Sequence, residues 1–321
     1  MPAKKMKAAV IHEFGGIEKI SIEEVPVTFP KDNEVQIAIE YAGVNPVDWK
    51  ICEGIFRGRM GHEFPLILGW DAAGKVIAKG KNVKKFKEGD EVFAYCRKES
   101  LHDGSYAEYI CLDAKNVAFK PRSLTFAQAA SVPLASLTAW QSLFDTIHLQ
   151  PKENVLIHAG AGGVGSFAIQ LAKIAGAKVI TTTSASHHDY VKKIGADLII
   201  DYTKDNFVDR IQTQFPQGID AVFDTVGGET LKASYRTIKE GGRLVTIAGI
   251  VDQALAADTH VHADYVLVSA NGEELQKISD FLEQGTMQPP KIQEIHFNEI
   301  PLALRQNREG HTEGKIVIKI H

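Results

Sequence analysis

Residues 154–165 read NVLIHAGAGGVG and carry the most specific chemistry of the chain. An apolar run, Val155 to Ile157, ends in Gly160-x-Gly162-x-x-Gly165, and a helical pattern follows through Phe167, Ala168, Leu171, Ala172 and Ile174. Glycines at this spacing, between a strand and a helix, suit a dinucleotide. Gly160 permits the tight turn, Gly162 lets backbone approach a pyrophosphate, and Gly165 lets the helix lie close to the strand. The bare helix N-terminus, at Gly162, Gly163 and Val164, then offers N–H groups and a positive dipole end to the phosphates. The plainer alternative is a glycine-rich turn that binds nothing.

Which dinucleotide follows from the second strand. A site for NAD places an acid about 20 residues past the first glycine, on the ribose 2′-hydroxyl. Here the strand ends in TTTSAS (181–186), and no carboxylate follows until Asp189. An acid would repel a 2′-phosphate, whereas the hydroxyls of Ser184 and Ser186 can donate to one. The motif favours NADPH, with Tyr202 as a further candidate at the phosphate. A nearby fixed cation would strengthen the case; only His187 and His188 are close at hand, and Lys192 is a turn further on. The alternative is that the serines cap the next helix.

These residues need a parallel sheet, and the surrounding pattern supplies one. From Asn154 to Ala248 short apolar strands alternate with helical stretches, the mark of βαβ units with helices on both faces of a sheet. Thr225 and Val226, Gly249 and Ser269 lie at or after the ends of strands read at Ala221–Asp224, Arg243–Ala248 and Tyr265–Ser269, where such a sheet takes ligands. Residues 1–125 are β-rich instead, with β-prone runs at Lys7–Ile11, Val35–Tyr41, Gly74–Lys79, Glu91–Tyr95 and Tyr106–Leu112. Gly43–Pro65 and Arg97–Gly104 read as loops on that scaffold. Leu124–Asp145 reads as helix interrupted at Pro133, and Glu273–Gly285 as another. After Pro289-Pro290 the chain turns β-like again. The division expected is a first domain over 1–125, a dinucleotide domain over 126–285, and a tail over 286–321 that returns to the first domain.

The bulk properties agree with a globular protein of 321 residues and about two domains. It is 44% hydrophobic and 24% charged, enough for a core. A net charge of −4 offers no basic footprint for nucleic acid, and no apolar run is long enough for a membrane span. The first ten residues lack the apolar region of a signal peptide. Three cysteines without a Cys-x-x-Cys fit a reducing compartment, so the cytoplasm is the expected location.

Over nearly its whole length the chain resembles the zinc-independent quinone oxidoreductases, the zeta-crystallin-like branch of the medium-chain dehydrogenase/reductase superfamily. The matching segments are GVNPVD (43–48), FPLILGWDAAGKV (64–76), Gly89-Asp90-x-Val92, Gly104-x-x-Ala107-Glu108, Leu137-Thr138-Ala139, Ala159–Gly165, DTVGG (224–228) and GKIV (314–317). The resemblance implies a GroES-like catalytic domain beside a Rossmann domain, an active site in the cleft between them, and a homodimer, often built by extending the Rossmann sheet edge. Zinc-containing relatives hold their metal with a Cys, a His and a second Cys. At those places stand Asn45, Trp70 and approximately Leu134, none of them a plausible zinc ligand.

The reaction so implied is hydride transfer from NADPH to a quinone or a related unsaturated carbonyl compound. Without zinc, the developing oxyanion must meet hydrogen-bond donors or water. Asn45 is the leading donor, Asp48 orients the loop or the ribose, and Thr138 sits at the nicotinamide by likeness to the family. Tyr41, Trp49, Phe56 and Trp70 offer an apolar slot for a planar acceptor, or ordinary core packing. Two alternatives stand beside this reading: a 2-alkenal or enone reductase, and an NADPH-binding structural or regulatory protein with little turnover. Among weaker signals, Asp258, His260, His262 and Asp264 alternate like a metal set but read better as surface residues. Cys52 reads as a spectator thiol, and the lysine-rich stretch 79–90 as a solvated hairpin.

Overall fold

The alternation after Asn154 forms one six-stranded parallel sheet in the computed structural model, which describes residues 4–310 and 314–321. Its order is Leu198–Asp201, Lys178–Thr183, Asn154–Ile157, Ile219–Asp224, Ile238–Thr246, His262–Tyr265. The chain enters mid-sheet, builds outward to one side, then returns to build the other. Asn154–Ile157 and Ile219–Asp224 are therefore neighbours across a switch point, the place where such sheets bind ligands. The central strands are buried and rich in apolar residues, whereas the edge strand His262–Tyr265 is largely exposed. Leu156, Ile180, Val222, Leu231, Tyr235 and Leu244 belong to one buried cluster. The helices Gly163–Ile174, Phe207–Gln214 and Gly228–Ser234 occupy three of the crossovers. This Rossmann-type unit comprises residues 135–268 and 286–288.

The second unit comprises residues up to Leu134, Ser269–Gly285, and the chain from Pro289 onward. Its main sheet runs Val117–Phe119, Glu91–Tyr95, Asp71–Lys79, Glu34–Gly43, Lys315–Lys319, Ile292–His296, and Tyr109–Asp113 also pairs with Glu34–Gly43. Val35, Ile37, Ile39, Val76, Phe86 and Val92 share one of its cores. A smaller sheet joins Ser21–Pro26, Lys5–Ile11 and Leu66–Ile67. The lysine-rich stretch 79–90 connects two antiparallel strands and anchors itself by burying Phe86.

Four features differ from the sequence expectation. The stretch read as a loop from Gly43 contains a helix, Pro46–Cys52, started by Asn45 with Pro46 in its first turn and Asp48 closing a capping box. Pro133 opens the helix Pro133–Trp140 rather than interrupting one; the preceding helix, Phe126–Ala130, has its own box from Thr125 and Gln128. The last strand of the parallel sheet is His262–Tyr265, not Tyr265–Ser269, because its partner strand ends at Thr246, opposite Tyr265. The units divide at 134 and 268 rather than at 125 and 285. Helix Gly272–Glu283 packs on Val117–Phe119 of the β-rich unit, where Phe119 N donates to Gln276 Oε1 at 3.0 Å and Ser279 Oγ donates to Phe119 O at 2.8 Å.

Candidate functional site

In the β-rich unit, a buried polar network centres on the turn from strand Glu34–Gly43 into helix Pro46–Cys52. Asn45 Nδ2 donates to Asp71 Oδ2 at 2.8 Å, and Asn45 Oδ1 accepts from Lys315 Nζ. Lys315 Nζ also donates to Val44 O at 2.8 Å, and Asp71 Oδ1 accepts from Leu134 N at 2.8 Å. Asp48 Oδ2 accepts from Asn45 N and from the Tyr106 hydroxyl, both at 2.8 Å. Sheet register explains the meeting. Gly43 pairs with Asp71 on one side and with Val317 on the other, which brings the starts of Asp71–Lys79 and Lys315–Lys319 to the same turn.

Two buried carboxyls thus share one buried ammonium. Burial pushes Asp48 up to about 7, against the Asn45 and Tyr106 hydrogen bonds that favour its carboxylate. Burial also raises Asp71 to about 6, opposed chiefly by the Lys315 charge. Lys315 is lowered by burial, with both carboxylates working in the other direction. Asp71 and Lys315 therefore form the ion pair at neutral pH, and Asp48 is near its midpoint. Asn45 is 2% exposed and its amide is fixed in one orientation, because a flip would set N–H groups against the ammonium. One Nδ2–H remains beyond the bond to Asp71. The Cys52 thiol is buried, and burial pushes its pKa up to about 12.

The aromatic side chains are more committed than an open slot requires. Trp70 is 6% exposed, with Phe56 stacked at 5.8 Å and Tyr95 edge-on at 5.9 Å. Trp49 lies between Lys50 and Arg308, 5.4 and 5.6 Å from its ring. The Tyr41 hydroxyl donates to Glu294 Oε2 at 2.9 Å. In the sequence Asp71 and Lys315 stand only inside longer motifs, and Tyr106 inside a β-prone run, because their role depends on partners distant in the chain.

In the parallel-sheet unit, the glycine turn has the geometry the motif requires. A Cβ on Gly160 would lie 2.1 Å from Thr181 Oγ1, and one on Gly165 would lie 2.3 Å from Ala159 O. Gly162 is the N-cap of helix Gly163–Ile174 and provides no side-chain cap, leaving the first-turn N–H groups to an outside acceptor. At the end of the next strand Ser184 Oγ and Ser186 Oγ lie 3.0 Å apart, and Ser186 is exposed. A cavity of about 630 Å³ in this unit is lined by Thr182, Tyr202, Asp205, Phe207, Val226, Glu229 and Arg236 among others. His158 also lines it, its ring nitrogens 3.0 Å from Thr182 Oγ1 and from Ser234 Oγ. Burial holds that imidazole down to about 4, so it is neutral at pH 7. Tyr202 is 62% exposed, and Val226 is also exposed.

The remaining candidates lie on separate elements. Thr225 Oγ1 donates to His158 O at 2.8 Å. Gly249 follows strand Ile238–Thr246, where a Cβ would meet Leu231 at 2.8 Å. Ser269 is exposed and lies four residues past the last strand. Thr138 is buried in helix Pro133–Trp140. Among the described residues no three His, Cys, Asp or Glu side chains converge as a metal set would; His262 and Asp264 lie on the edge strand, while His260 sits in a turn with positive φ. The turn suits a dinucleotide: its helix start has no side-chain cap, and no acid follows Thr183 until Asp189.

Comparison with known proteins agrees in both units. Residues 31–122 match the alcohol dehydrogenase GroES-like domain family, and residues 163–282 the zinc-binding dehydrogenase family. An NADPH-dependent alkenal/one oxidoreductase of Arabidopsis thaliana, chloroplastic, is 37% identical over 98% of this chain and 80% of its own length. A 2-methylene-furan-3-one reductase of Solanum lycopersicum is also 37% identical, over 98% and 79%. The solved quinone oxidoreductase of Coxiella burnetii superposes with a TM-score of 0.87 at 32% identity, covering 99% of this chain and 100% of that one.

Proposed function

The chain belongs to the zinc-independent quinone oxidoreductase type of the medium-chain dehydrogenase/reductase family, and we infer that it reduces a quinone or related unsaturated carbonyl compound with NADPH. The carrying observation is the uncapped helix start at Gly162, at the switch point of a parallel sheet whose second strand ends in Ser184 and Ser186 instead of an acid. We assign the pyrophosphate to the N–H groups of Gly163 and Val164, with Gly165 next in the turn, because the Gly162 N–H expected there already donates to Ala159 O at 2.9 Å, and the 2′-phosphate to Ser184, Ser186 and Tyr202. The cavity floored by His158 suits the adenosine half, with Val226 at its wall. Thr138, Thr225, Gly249 and Ser269 are assigned to the rest of the dinucleotide.

When bound, NADPH supplies the hydride. The protein must then stabilise charge on the acceptor oxygen. Asn45 has one N–H to give, held in direction by Asp71 and Lys315. Asp48 holds the turn by accepting from the Asn45 backbone and from Tyr106. Solvent supplies the proton that completes the two-electron reduction. The positions corresponding to zinc ligands, Asn45, Trp70 and Leu134, do not suit a metal.

A homodimer is supported by the edge strand His262–Tyr265, next to which Tyr265, Leu267 and Ile250 are 53%, 47% and 94% exposed. No helix among the described residues is long and apolar enough to cross a membrane. The three free, buried cysteines favour the cytoplasm. Steady-state oxidation of NADPH with a 1,4-quinone and a 2-alkenal, side by side, tests the reading. Turnover with at least one is expected; tight NADPH binding with no turnover on either would make the chain a nucleotide-binding protein instead.

A further inference from the structure

We infer that His158 is a positioning residue for the dinucleotide turn: through the Thr182 hydroxyl it holds Ala159 in a left-handed conformation that sets the start of the phosphate-facing helix; this rests on the NADPH reading above. Ala159 has a φ of 51°, a region that a residue with a Cβ enters only when its surroundings impose it. Its carbonyl accepts from Gly162 N at 2.9 Å, and Gly162 O accepts from Ser166 N at 2.9 Å. Gly165 packs so close to the same carbonyl that a Cβ there would lie 2.3 Å from it. The orientation of Ala159 therefore fixes where helix Gly163–Ile174 begins and where its uncapped N–H groups point.

A directed chain of hydrogen bonds imposes that conformation. Ser234 Oγ donates to Thr230 O at 2.7 Å, which uses the one hydrogen of the hydroxyl. Towards His158 Nε2, 3.0 Å away, Ser234 Oγ can then only accept, so Nε2 carries the ring hydrogen. Burial keeps the imidazole neutral, against the charge of Asp224, and Nδ1 is bare. Nδ1 accepts from the Thr182 hydroxyl at 3.0 Å. With its hydrogen committed to the ring, Thr182 Oγ1 turns a lone pair to the Ala159 N–H at 3.2 Å. Each group from Ala159 N through Thr182, His158 and Ser234 to Thr230 O thus has a partner. The His158 backbone is held as well: its N donates to Phe223 O at 3.0 Å, and its O accepts from Thr225 Oγ1 at 2.8 Å. Phe207 meets the imidazole edge-on at 4.8 Å. Strand register sets Ile157 opposite both Thr181 and Phe223, so residues 158 and 182 meet at the switch point. Both ring nitrogens are engaged within the protein, and the effect of His158 on the nucleotide passes through the turn.

The experiment measures the Kd for NADPH by calorimetry in the full-length chain and its variants, with thermal unfolding beside it. Thr182→Val keeps the shape and removes the hydroxyl, and should weaken NADPH about tenfold. Thr182→Ser keeps the hydroxyl and should bind as the unaltered chain does. His158→Leu should match the loss in Thr182→Val, whereas His158→Asn, whose amide oxygen takes the place of Nδ1, should regain most of the affinity. Adding Ala159→Gly to Thr182→Val should regain it too, because glycine holds a positive φ without the tie. Leu244→Ala, a change in the buried cluster of the same sheet, is the comparison for a loss of stability alone: it should lower the melting temperature and leave Kd unmoved. If His158→Leu does not fold, the Thr182 variants decide. A Kd unmoved by Thr182→Val, a loss that Ala159→Gly leaves in place, or an equal loss in Leu244→Ala overturns this inference alone. Failure of the unaltered, folded chain to bind NADPH overturns the nucleotide reading and this inference with it.

Discussion

Asn45 donates through Nδ2 to Asp71 Oδ2 at 2.8 Å, and both residues are buried. The bond joins a helix N-cap to the first residue of a strand, and Lys315 closes it from a third segment. Asp71→Ala would leave that ammonium buried without its counter-ion and would strand the N–H groups of Asn45 and Leu134. A loss of about 3–5 kcal/mol is expected. Lys315→Met added to Asp71→Ala should recover part of it, since the uncompensated charge is removed. Equilibrium denaturation of the single and double variants checks this; strict additivity would mean that the pair does not interact.

The glycines of the dinucleotide turn should separate into a structural and a binding class. A Cβ on Gly165 would strike the backbone at Ala159 O, 2.3 Å away, and Gly160 Cα, 2.9 Å away, neither of which can move freely. Gly165→Ala should cost about 1–3 kcal/mol or prevent folding. A Cβ on Gly162 meets only Ala159 O, at 3.2 Å. Gly162→Ala should therefore fold with a loss under about 1 kcal/mol, yet weaken NADPH by about tenfold through the methyl group it places on the phosphate path. Thermal unfolding and nucleotide titration of the two variants distinguish the roles.

Ser184 and Ser186 are the test of cofactor choice. Replacing both with Ala should weaken NADPH by about tenfold or more, while NADH binding changes little, because only the former carries the 2′-phosphate. Calorimetric titration with each nucleotide measures the difference. Equal losses would show that the hydroxyls cap the chain rather than read the phosphate.

The pH dependence of stability carries the signature of Asp48. Its folded pKa, about 7, lies above its ordinary value of 3.8, so the folded protein holds the proton more tightly. The stability it contributes is fully present below the ordinary value and is lost as pH rises through about 7. Asp71 acts in the same sense up to about 6, whereas His158, held at about 4, loses stability as pH falls from its ordinary 6.5 through that value. Asp48→Asn can still accept from Asn45 and Tyr106 but has no proton to lose. Its melting temperature relative to the unaltered chain should climb as pH increases from about 4 to about 7. A constant difference would place Asp48 in the ionised state throughout.

What the sequence determined by itself is whatever depends on neighbours in the chain. The Gly160–Gly165 turn, the serines after the second strand and the parallel alternation are legible because each uses residues within a single βα unit. The Asn45-Pro46-x-Asp48 start of helix Pro46–Cys52 was written just as locally. A helix of seven residues, however, is too short to show a hydrophobic period, and the stretch reads as loop. Only tertiary structure decided that Asp71, 26 positions away, and Lys315, 270 positions away, hold the two ends of the Asn45 amide. Strand register makes that decision through Gly43, paired with Asp71 and Val317 at once. Register is set by the whole buried face of a sheet, so composition and local spacing are silent about it.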